Sequence, residues 1–235
     1  MSWFVTGSDT GVGKTYTIVQ LLRLLRASGI SCAGFKPICC GDRRDAELLL
    51  ASGIEGLTID EINPLWLKTP LAPLAAARIE AIEIDIDAII DAFRALQRRV
   101  EVIVVEGVGG WLVPIRADYF VSDLAAELKL PVLVVVRNRL GCLNHTALTV
   151  RSVLGHDLAC AGVVLNDLAD ADDDIAAATN RDVLGEILDV PILPGLTQKT
   201  SAMPAEWRAA LRLPDARVSV SQANTNVNKV YTPEA

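Results

Sequence analysis

Short apolar stretches alternate along most of this chain with longer stretches whose apolar residues recur at helical spacing. The run at residues 100–105 is apolar and β-branched, which is typical of a strand buried on both faces. Residues 85–99 instead place Ile86, Ile90 and Phe93 on one face of a helix. Strands are predicted in this way at residues 3–6, 31–36, 100–105, 132–136, 161–165 and 190–193. Helices are predicted at residues 14–27, 45–51, 85–99, 122–129, 144–154 and 172–188.

This alternation predicts a parallel β-sheet with helices on both faces. Residues 57–84 interrupt it, because they are rich in Pro and Leu and lack clean periodicity, and we expect an irregular segment there. A turn is expected at residues 39–41, and Ser122 is expected to cap the helix that follows it. The domain is expected to span residues 1–217, and the polar residues 218–235 are expected to form a flexible tail.

Composition and charge exclude some classes of function. Hydrophobic residues make up 51% of the 235 residues, the net charge is −7 and the pI is about 4.9. An acidic chain of this kind argues against a general nucleic-acid-binding surface. No apolar run reaches the length of a membrane span, so no membrane partner is expected. The five cysteines are an odd number without metal-ligand spacing, which favours a reducing cytoplasm.

The glycine-rich stretch GSDTGVGKT, residues 7–15, lies between the first predicted strand and the first predicted helix. That order is the context of a phosphate-binding P-loop. The backbone N–H groups of such a turn favour a triphosphate, Lys14 would reach its outer phosphates, and Thr15 would contact Mg²⁺. Five residues separate Gly7 from Gly13, one more than the general pattern. The sequence therefore predicts a single α/β domain with a P-loop NTPase-like fold.

Further polar side chains follow other predicted strands. Lys36 ends the second strand and Asp45 lies shortly beyond it, Glu106 follows the apolar run 100–105, and Asn166 and Asp167 follow residues 161–165. The carboxyl ends of parallel strands form the ligand-binding edge of such a sheet. Two lysines at that edge could neutralise a phosphoryl group and a second anionic reactant, and the carboxylates suit Mg²⁺.

Five segments stand out along the chain, namely TGSDTGVGKT at residues 6–15, FKP at 35–37, VVEGVGGW at 104–111, LGCLNHTALT at 140–149 and GVVLND at 162–167. In these segments and in their order the chain resembles the dethiobiotin synthetase family. The segments spread over most of the first 200 residues. The longer spacing in the P-loop is the family's own form.

The resemblance implies an ATP- and Mg²⁺-dependent ligase of biotin biosynthesis, which closes a cyclic urea from CO₂ and 7,8-diaminononanoate. A carbamate forms on one amine and takes the γ-phosphoryl group. The second amine then attacks the mixed anhydride, and phosphate leaves. The family is a homodimer, and the 140–144 loop of one subunit would grip the substrate carboxylate bound by the other.

The resemblance also assigns roles to individual residues. Catalysis would fall to Thr10, Lys14 and Lys36, and metal coordination to Thr15, Asp45 and Glu106. Substrate contacts would come from Thr10, Lys36, Cys40, Gly109, Leu143 and Asn144. ATP would be bound by Gly11, Val12, Gly13, Lys14, Thr15, Tyr16, Asp45, Glu106, Gly107, Val108, Gly109, Asn166, Asp167, Pro194, Gly195 and Leu196.

Some alternatives stay open. Asp42 is a nearby alternative to Asp45 as metal ligand, because the segment after Lys36 is shorter than in other members of the family. Cys40 stands where the family usually has Ser, which is a stronger hydrogen-bond donor. A partition or cell-positioning ATPase of the same broad fold is an alternative function, but its P-loop would carry an extra lysine near residues 7–9. A related amidoligase acting on another acid or amine is a third hypothesis.

Overall fold

The structure is a computed structural model that describes residues 1–167 and 175–213. Its strands are β1 (Ser2–Gly7), β2 (Cys32–Phe35), β3 (Ile38–Cys40), β4 (Leu65–Leu67), β5 (Val102–Glu106), β6 (Pro114–Arg116), β7 (Tyr119–Phe120), β8 (Val132–Arg137), β9 (Cys160–Asn166) and β10 (Ile192–Pro194). Its helices are α1 (Lys14–Ala27), α2 (Arg44–Ser52), α3 (Ile59–Ile62), α4 (Pro73–Glu80), α5 (Ile86–Gln97), α6 (Val121–Leu128), α7 (Cys142–Gly155), α8 (Ile175–Ile187) and α9 (Ala205–Ala210).

Six strands form a parallel sheet in the order β10-β9-β8-β1-β5-β2. Parallel crossover connections are right-handed. The connection from β1 to β2, which contains α1, runs towards one edge of the sheet. The connections that contain α5, α6 and α7 run towards the other edge, so these helices cover the face of the sheet opposite to α1. The predicted α/β class with one parallel sheet is confirmed.

Helix α5 illustrates how the sequence determines an element. Asp85 caps its first turn by accepting a hydrogen bond from the backbone N–H of Ala88 at 3.0 Å. The apolar face is buried, and Phe93 packs edge-on against Phe35 of β2 with ring centroids 5.8 Å apart. The amphipathic pattern therefore fixes both the helix and the face that it turns to the sheet.

The segment 57–84 is not irregular as expected, since it contains α3, β4 and α4. Thr58 and Glu61 form a capping box at the start of α3. Strand β4 pairs with β3, so Cys39 and Cys40 lie in a strand and the turn expected at residues 39–41 is wrong apart from Gly41. Strands of three residues are too short to produce a readable alternation.

The expectation that Ser122 caps α6 is also wrong. Helix α6 begins one residue earlier, at Val121, and Ser122 is buried inside its first turn. The carboxylate of Asp123 caps instead, because it reaches back and accepts the backbone N–H of Phe120 at 2.7 Å. The third helical position therefore supplies the cap.

The C-terminal expectations are tested only in part. The helix expected at residues 172–188 is observed as α8, and residues 172–174 lie outside the described part of the chain. The expected domain boundary at residue 217 and the tail 218–235 also lie outside it. Within residues 1–167 and 175–213, no helix combines the length and apolar character needed to cross a membrane.

Candidate active site

The glycine-rich stretch forms a tight turn between β1 and the N-terminus of α1. Gly11 and Gly13 have φ values of 72° and 92°, a left-handed conformation that residues with a Cβ rarely adopt. A Cβ on Gly7 would lie 2.6 Å from the carbonyl oxygen of Asp9, so this position has no room for a side chain. These glycines give the backbone the close turn that phosphate-binding loops use.

A cluster of four polar side chains lies beside this turn. The Lys36 ammonium donates to Asp45 Oδ2 and to Glu106 Oε1, both at 2.7 Å. The Thr15 hydroxyl lies 2.9 Å from Asp45 Oδ1 and 2.8 Å from Glu106 Oε1, and it can donate its single proton to either. Strand β5 and helices α1 and α2 thus bring together the three residues expected to hold the metal.

Asp45 enters this cluster and Asp42 does not. The Asp42 carboxylate instead accepts the backbone N–H of Arg44 at 3.1 Å, at the start of α2. Geometry therefore favours Asp45 over its sequence alternative, although both residues line the same cavity.

Burial and charge act differently on the two lysines of the site. Burial lowers the pKa of Lys36, but Glu106 and Asp45 more than offset this effect, so its pKa is raised. Burial also lowers the pKa of Lys14, and here the nearby carboxylates do not offset it, while the Lys36 charge lowers the pKa further. Burial raises the pKa of Asp45, but the charge and hydrogen bond of Lys36, together with the Thr15 hydrogen bond and the Lys14 charge, more than offset this effect, so its pKa is lowered.

An open cavity of about 580 Å³ connects the turn with this cluster. Both lysines, Lys14 and Lys36, line it, as do Thr10, Cys40 and Gly109, which were expected to contact the substrate. Burial raises the pKa of the Cys40 thiol to about 11, so this thiol stays protonated at neutral pH. The remaining lining residues are Gly11, Gly13, Thr15, Cys39, Asp42, Asp45, Pro70, Leu71, Ala72, Glu106, Val108 and Val113.

The side chains of the cluster fit a magnesium ion held together with a nucleotide. Glu106 is 1% exposed, and its Oε2 has no hydrogen-bond partner among the described residues. A buried carboxylate oxygen without a donor needs a cation or a further ligand. Mg²⁺ is usually bound by one or two carboxylates together with substrate phosphates, and Asp45, Glu106 and the Thr15 hydroxyl provide that set.

Other residues expected to bind ATP lie on the opposite side of the P-loop. Asn166 at the end of β9 is buried, and its amide donates to the Val12 carbonyl at 2.9 Å. A Cβ on Gly195 would lie 3.2 Å from the Leu165 carbonyl, so the turn after β10 packs closely on β9. The Asp167 carboxylate accepts from Asn138 at 2.8 Å. The structure thus places these residues beside the P-loop but outside the cavity that contains Lys36.

The remaining expected residues occupy four further positions. Tyr16 follows Thr15 on α1 and is 39% exposed. Gly107 packs behind the cavity, where a Cβ would lie 3.0 Å from Phe4. Leu143 and Asn144 lie in the first turn of α7 and do not line the cavity, whereas Pro194 and Leu196 flank Gly195.

Sequence reasoning missed two sets of residues at this site. Pro70, Leu71 and Ala72 line the cavity from the segment that was expected to be irregular. Asn63 donates to the Lys36 carbonyl, and Arg43 in turn donates to the Asn63 side chain. No periodicity marks either set, because each acts through a contact between segments that are distant in sequence.

Comparison with solved structures identifies the fold. MinD of Pyrococcus horikoshii, solved with Mg-ADP, is 17% identical, with a TM-score of 0.50 over 83% of this chain and 82% of that chain. The MinC:MinD cell division complex of Aquifex aeolicus gives 13% identity and a TM-score of 0.52, over 84% and 82% of the two chains. At these identities the likeness extends to the P-loop fold and not to the activity.

Comparison with curated proteins identifies the family. A family model described as an AAA domain matches residues 2–200. The ATP-dependent dethiobiotin synthetase BioD of Akkermansia muciniphila is 47% identical over 82% of this chain and 90% of its own length. The proteins of the same name from Aromatoleum aromaticum and Anaeromyxobacter dehalogenans are 39% and 42% identical, over 91% and 89% of this chain and 97% and 98% of their own lengths. The chain therefore belongs to the ATP-dependent dethiobiotin synthetase family.

Proposed function

We propose that this chain is an ATP- and Mg²⁺-dependent dethiobiotin synthetase that closes a cyclic urea from CO₂ and 7,8-diaminononanoate. Family membership supports the reaction. The observation that carries the proposal is the convergence of Lys14, Lys36, Asp45 and Glu106 on one cavity beside the P-loop. Phosphoryl transfer to a carbamate brings two anions together, and this cavity offers a lysine for each of them.

The two lysines have separate tasks in this proposal. Lys14, at the start of α1, neutralises the outer phosphates of ATP. Lys36, which lies between Asp45 and Glu106, neutralises the carbamate and the phosphoryl group that the carbamate receives. Thr10 and the backbone at Gly109 lie along the same cavity and would orient the diamine, so that its second amine is close to the activated carbon.

Thr15, Asp45 and Glu106 would hold Mg²⁺. When bound, the metal supplies a Lewis acid that withdraws charge from phosphate oxygens. In the structure the Lys36 ammonium lies between the same two carboxylates, at 2.7 Å from each. We therefore expect Lys36 to exchange this position for the carbamate when the metal binds.

The nucleotide base would lie on the other side of the P-loop. Asn166 is anchored to the P-loop through Val12, and the turn at Gly195 packs against it. Together with Asp167 and Tyr16, these residues would contact the base. This arrangement would direct the base away from Lys36. The γ-phosphate, at the other end of the nucleotide, would then point towards Lys36.

We further propose a cytoplasmic homodimer. Leu140, Leu148 and Leu112 are 82%, 59% and 56% exposed, so they are available for a subunit interface. Leu140 and Leu148 flank Leu143 and Asn144 in the sequence. A partner subunit bound at this surface would therefore have Leu143 and Asn144 beside the carboxylate of its own substrate. No disulfide joins any of the five cysteines, which all lie in the described part of the chain, and this supports a reducing compartment; they are Cys32, Cys39, Cys40, Cys142 and Cys160.

The proposal is tested by phosphate release with ATP, Mg²⁺, bicarbonate and the diamine, each omitted in turn. We expect release to require all four. Lys36→Ala should keep most of the ATP binding and lose ring closure by at least about 100-fold, the usual effect of removing one charge-stabilising group. Near-normal dethiobiotin production by Lys36→Ala, or ATP hydrolysis that DNA or lipid stimulates and the diamine does not, would contradict the proposal.

A further inference from the structure

Asn63 is a completely buried amide that joins two distant segments of the chain. Its side chain is 0% exposed. The Nδ2 group donates to the carbonyl of Lys36 at 2.8 Å and to that of Leu65 at 3.0 Å, and Oδ1 accepts from Arg43 Nε at 2.9 Å. One amide therefore holds both the backbone of Lys36 and the side chain of Arg43.

The backbone of Lys36 and Pro37 is held from the same segment by two further hydrogen bonds. The Lys36 N–H donates to the carbonyl of Ile62 at 2.7 Å, and the N–H of Leu65 donates to the carbonyl of Pro37 at 3.3 Å. The segment between α3 and β4 therefore binds the N–H and the carbonyl of Lys36 and the carbonyl of Pro37, directly after β2 ends.

Arg43 fixes the segment that carries Asp45. It immediately precedes α2, and its side chain is only 14% exposed. Nη2 donates to the carbonyl of Asn63 at 2.9 Å and to Asp60 at 2.8 Å, and the guanidinium lies 4.9 Å from the ring centroid of Trp66. Since α2 begins one residue later, these contacts determine the direction in which its first turn presents Asp45.

We propose that Arg43 and Asn63 are positioning residues that hold Asp45 and Lys36 in register. Neither residue lines the cavity, so both act through the backbone behind it. The two side chains that they support meet at 2.7 Å, in the cluster that would receive the metal. This inference rests on the proposed role of Asp45 as a metal ligand. Groups that orient metal ligands typically affect metal affinity about 10- to 100-fold.

The test is Mn²⁺ binding in the presence of ADP, followed by electron paramagnetic resonance, together with the Mg²⁺ dependence of product formation. Arg43→Ala should weaken Mn²⁺–ADP binding about 10-fold and raise the Mg²⁺ concentration that gives half-maximal rate, with excess Mg²⁺ restoring part of the rate. Arg43→Lys should behave similarly, because a lysine keeps the charge and loses the fork that contacts Asn63. Asn63→Asp should also weaken binding, because it places a carboxylate oxygen against the Lys36 carbonyl.

The controls come from the same surface of the chain. Arg44→Ala removes an arginine at the next, exposed position, and Asp60→Asn removes only the outer ion pair of Arg43. Both should bind Mn²⁺–ADP as the wild type does. Folded Arg43→Lys or Asn63→Asp with wild-type Mn²⁺–ADP binding would overturn the inference. Failure of the wild type to make dethiobiotin would refute the proposed function, and the binding experiment would still decide the role of Arg43 and Asn63.

Discussion

At the scale of single residues, the charges of the two lysines that line the cavity have opposite effects on the stability of the fold. Lys36 is surrounded by Asp45 and Glu106, and its pKa is raised. Lys14 is buried with less compensation, and its pKa is lowered. A lysine with a raised pKa stabilises the fold while it is charged, and one with a lowered pKa destabilises it while it is charged. The candidate active site thus contains one favourable and one unfavourable buried charge.

Replacing the unfavourable charge should stabilise the ligand-free protein. Lys14→Met removes a cation whose pKa lies below the ordinary value of 10.5, so it should raise the free energy of unfolding at neutral pH. The gain should diminish as the pH rises through the lowered pKa towards 10.5, because wild-type Lys14 then loses its proton in the folded state first. Urea unfolding at several pH values measures this effect.

The control for this prediction is Lys129→Met, because Lys129 is exposed and its replacement should leave stability nearly unchanged. Nucleotide binding should be lost in Lys14→Met alone. A lower free energy of unfolding for Lys14→Met than for the wild type would show that the buried charge is compensated after all.

Replacing the favourable charge should have the opposite effect. Lys36→Met leaves Glu106 and Asp45 without their cation, which should cost about 3 kcal/mol of unfolding free energy, the usual penalty for breaking a buried pair. Mg²⁺ without nucleotide should restore part of this loss in the variant and stabilise the wild type much less, because the wild-type ammonium already lies between the carboxylates. Thermal unfolding with and without Mg²⁺ measures both quantities, and equal stabilisation of the two proteins would contradict the expected exchange of Lys36 for the metal.

At the scale of elements, helix α2 connects the core with the site. A Cβ on Gly34 of β2 would lie 2.7 Å from the Leu49 Cβ, so α2 packs directly on the strand backbone. Asp45 lies in the first turn of the same helix. Any displacement of α2 from the sheet must therefore move a proposed metal ligand.

A pair of glycine substitutions tests this connection. Gly34→Ala should force α2 away from β2, costing roughly 1–3 kcal/mol and weakening Mn²⁺–ADP binding. Gly185→Ala should stabilise the protein by roughly 0.5–1 kcal/mol, because this exposed position lies inside α8 and a Cβ would meet nothing within 4 Å. Denaturant unfolding and metal binding on both variants decide the matter, and a Gly34→Ala protein as stable as the wild type would refute the close packing.

The sequence allowed the large elements to be predicted better than the small ones. Helix α1 begins and ends as predicted, because a glycine-rich turn precedes it and Gly29 follows it. Lys36 and Glu106 could be assigned to one edge, because each ends a clearly apolar strand. The positions of Arg43 and Asn63 could not be predicted, since they depend on contacts among α3, β3 and β4, which are too short to leave a periodic pattern.

At the scale of the whole molecule, the order of the strands separates the two halves of the proposed nucleotide site. β1, which leads into the P-loop, lies in the middle of the sheet, with β5 and β2 on one side and β8, β9 and β10 on the other. Lys36 and Glu106 come from the first side, and Asn166 and Gly195 from the second. The P-loop would therefore hold the phosphates between the reacting groups and the base.

The proposed dimer can be tested at this scale. Leu148→Glu places a charge on the exposed apolar face of α7, so it should convert a dimer into monomers and reduce product formation while leaving nucleotide binding intact. Ile79→Glu changes a side chain of α4 that is 65% exposed and should leave the assembly unchanged. Sedimentation equilibrium measures both, and a monomeric wild type or a dimeric Leu148→Glu variant would contradict the proposal.

The central claim is that a carbamate accepts the γ-phosphoryl group in the cavity between Lys14 and Lys36. The carbamate oxygen that attacks phosphorus must leave with phosphate when the second amine closes the ring. The most direct test is therefore a reaction with freshly mixed ¹⁸O-labelled bicarbonate in ordinary water, followed by mass spectrometry of the phosphate. We predict one ¹⁸O atom in the phosphate released with each dethiobiotin, whereas unlabelled phosphate would show that water, and not a carbamate, attacks ATP.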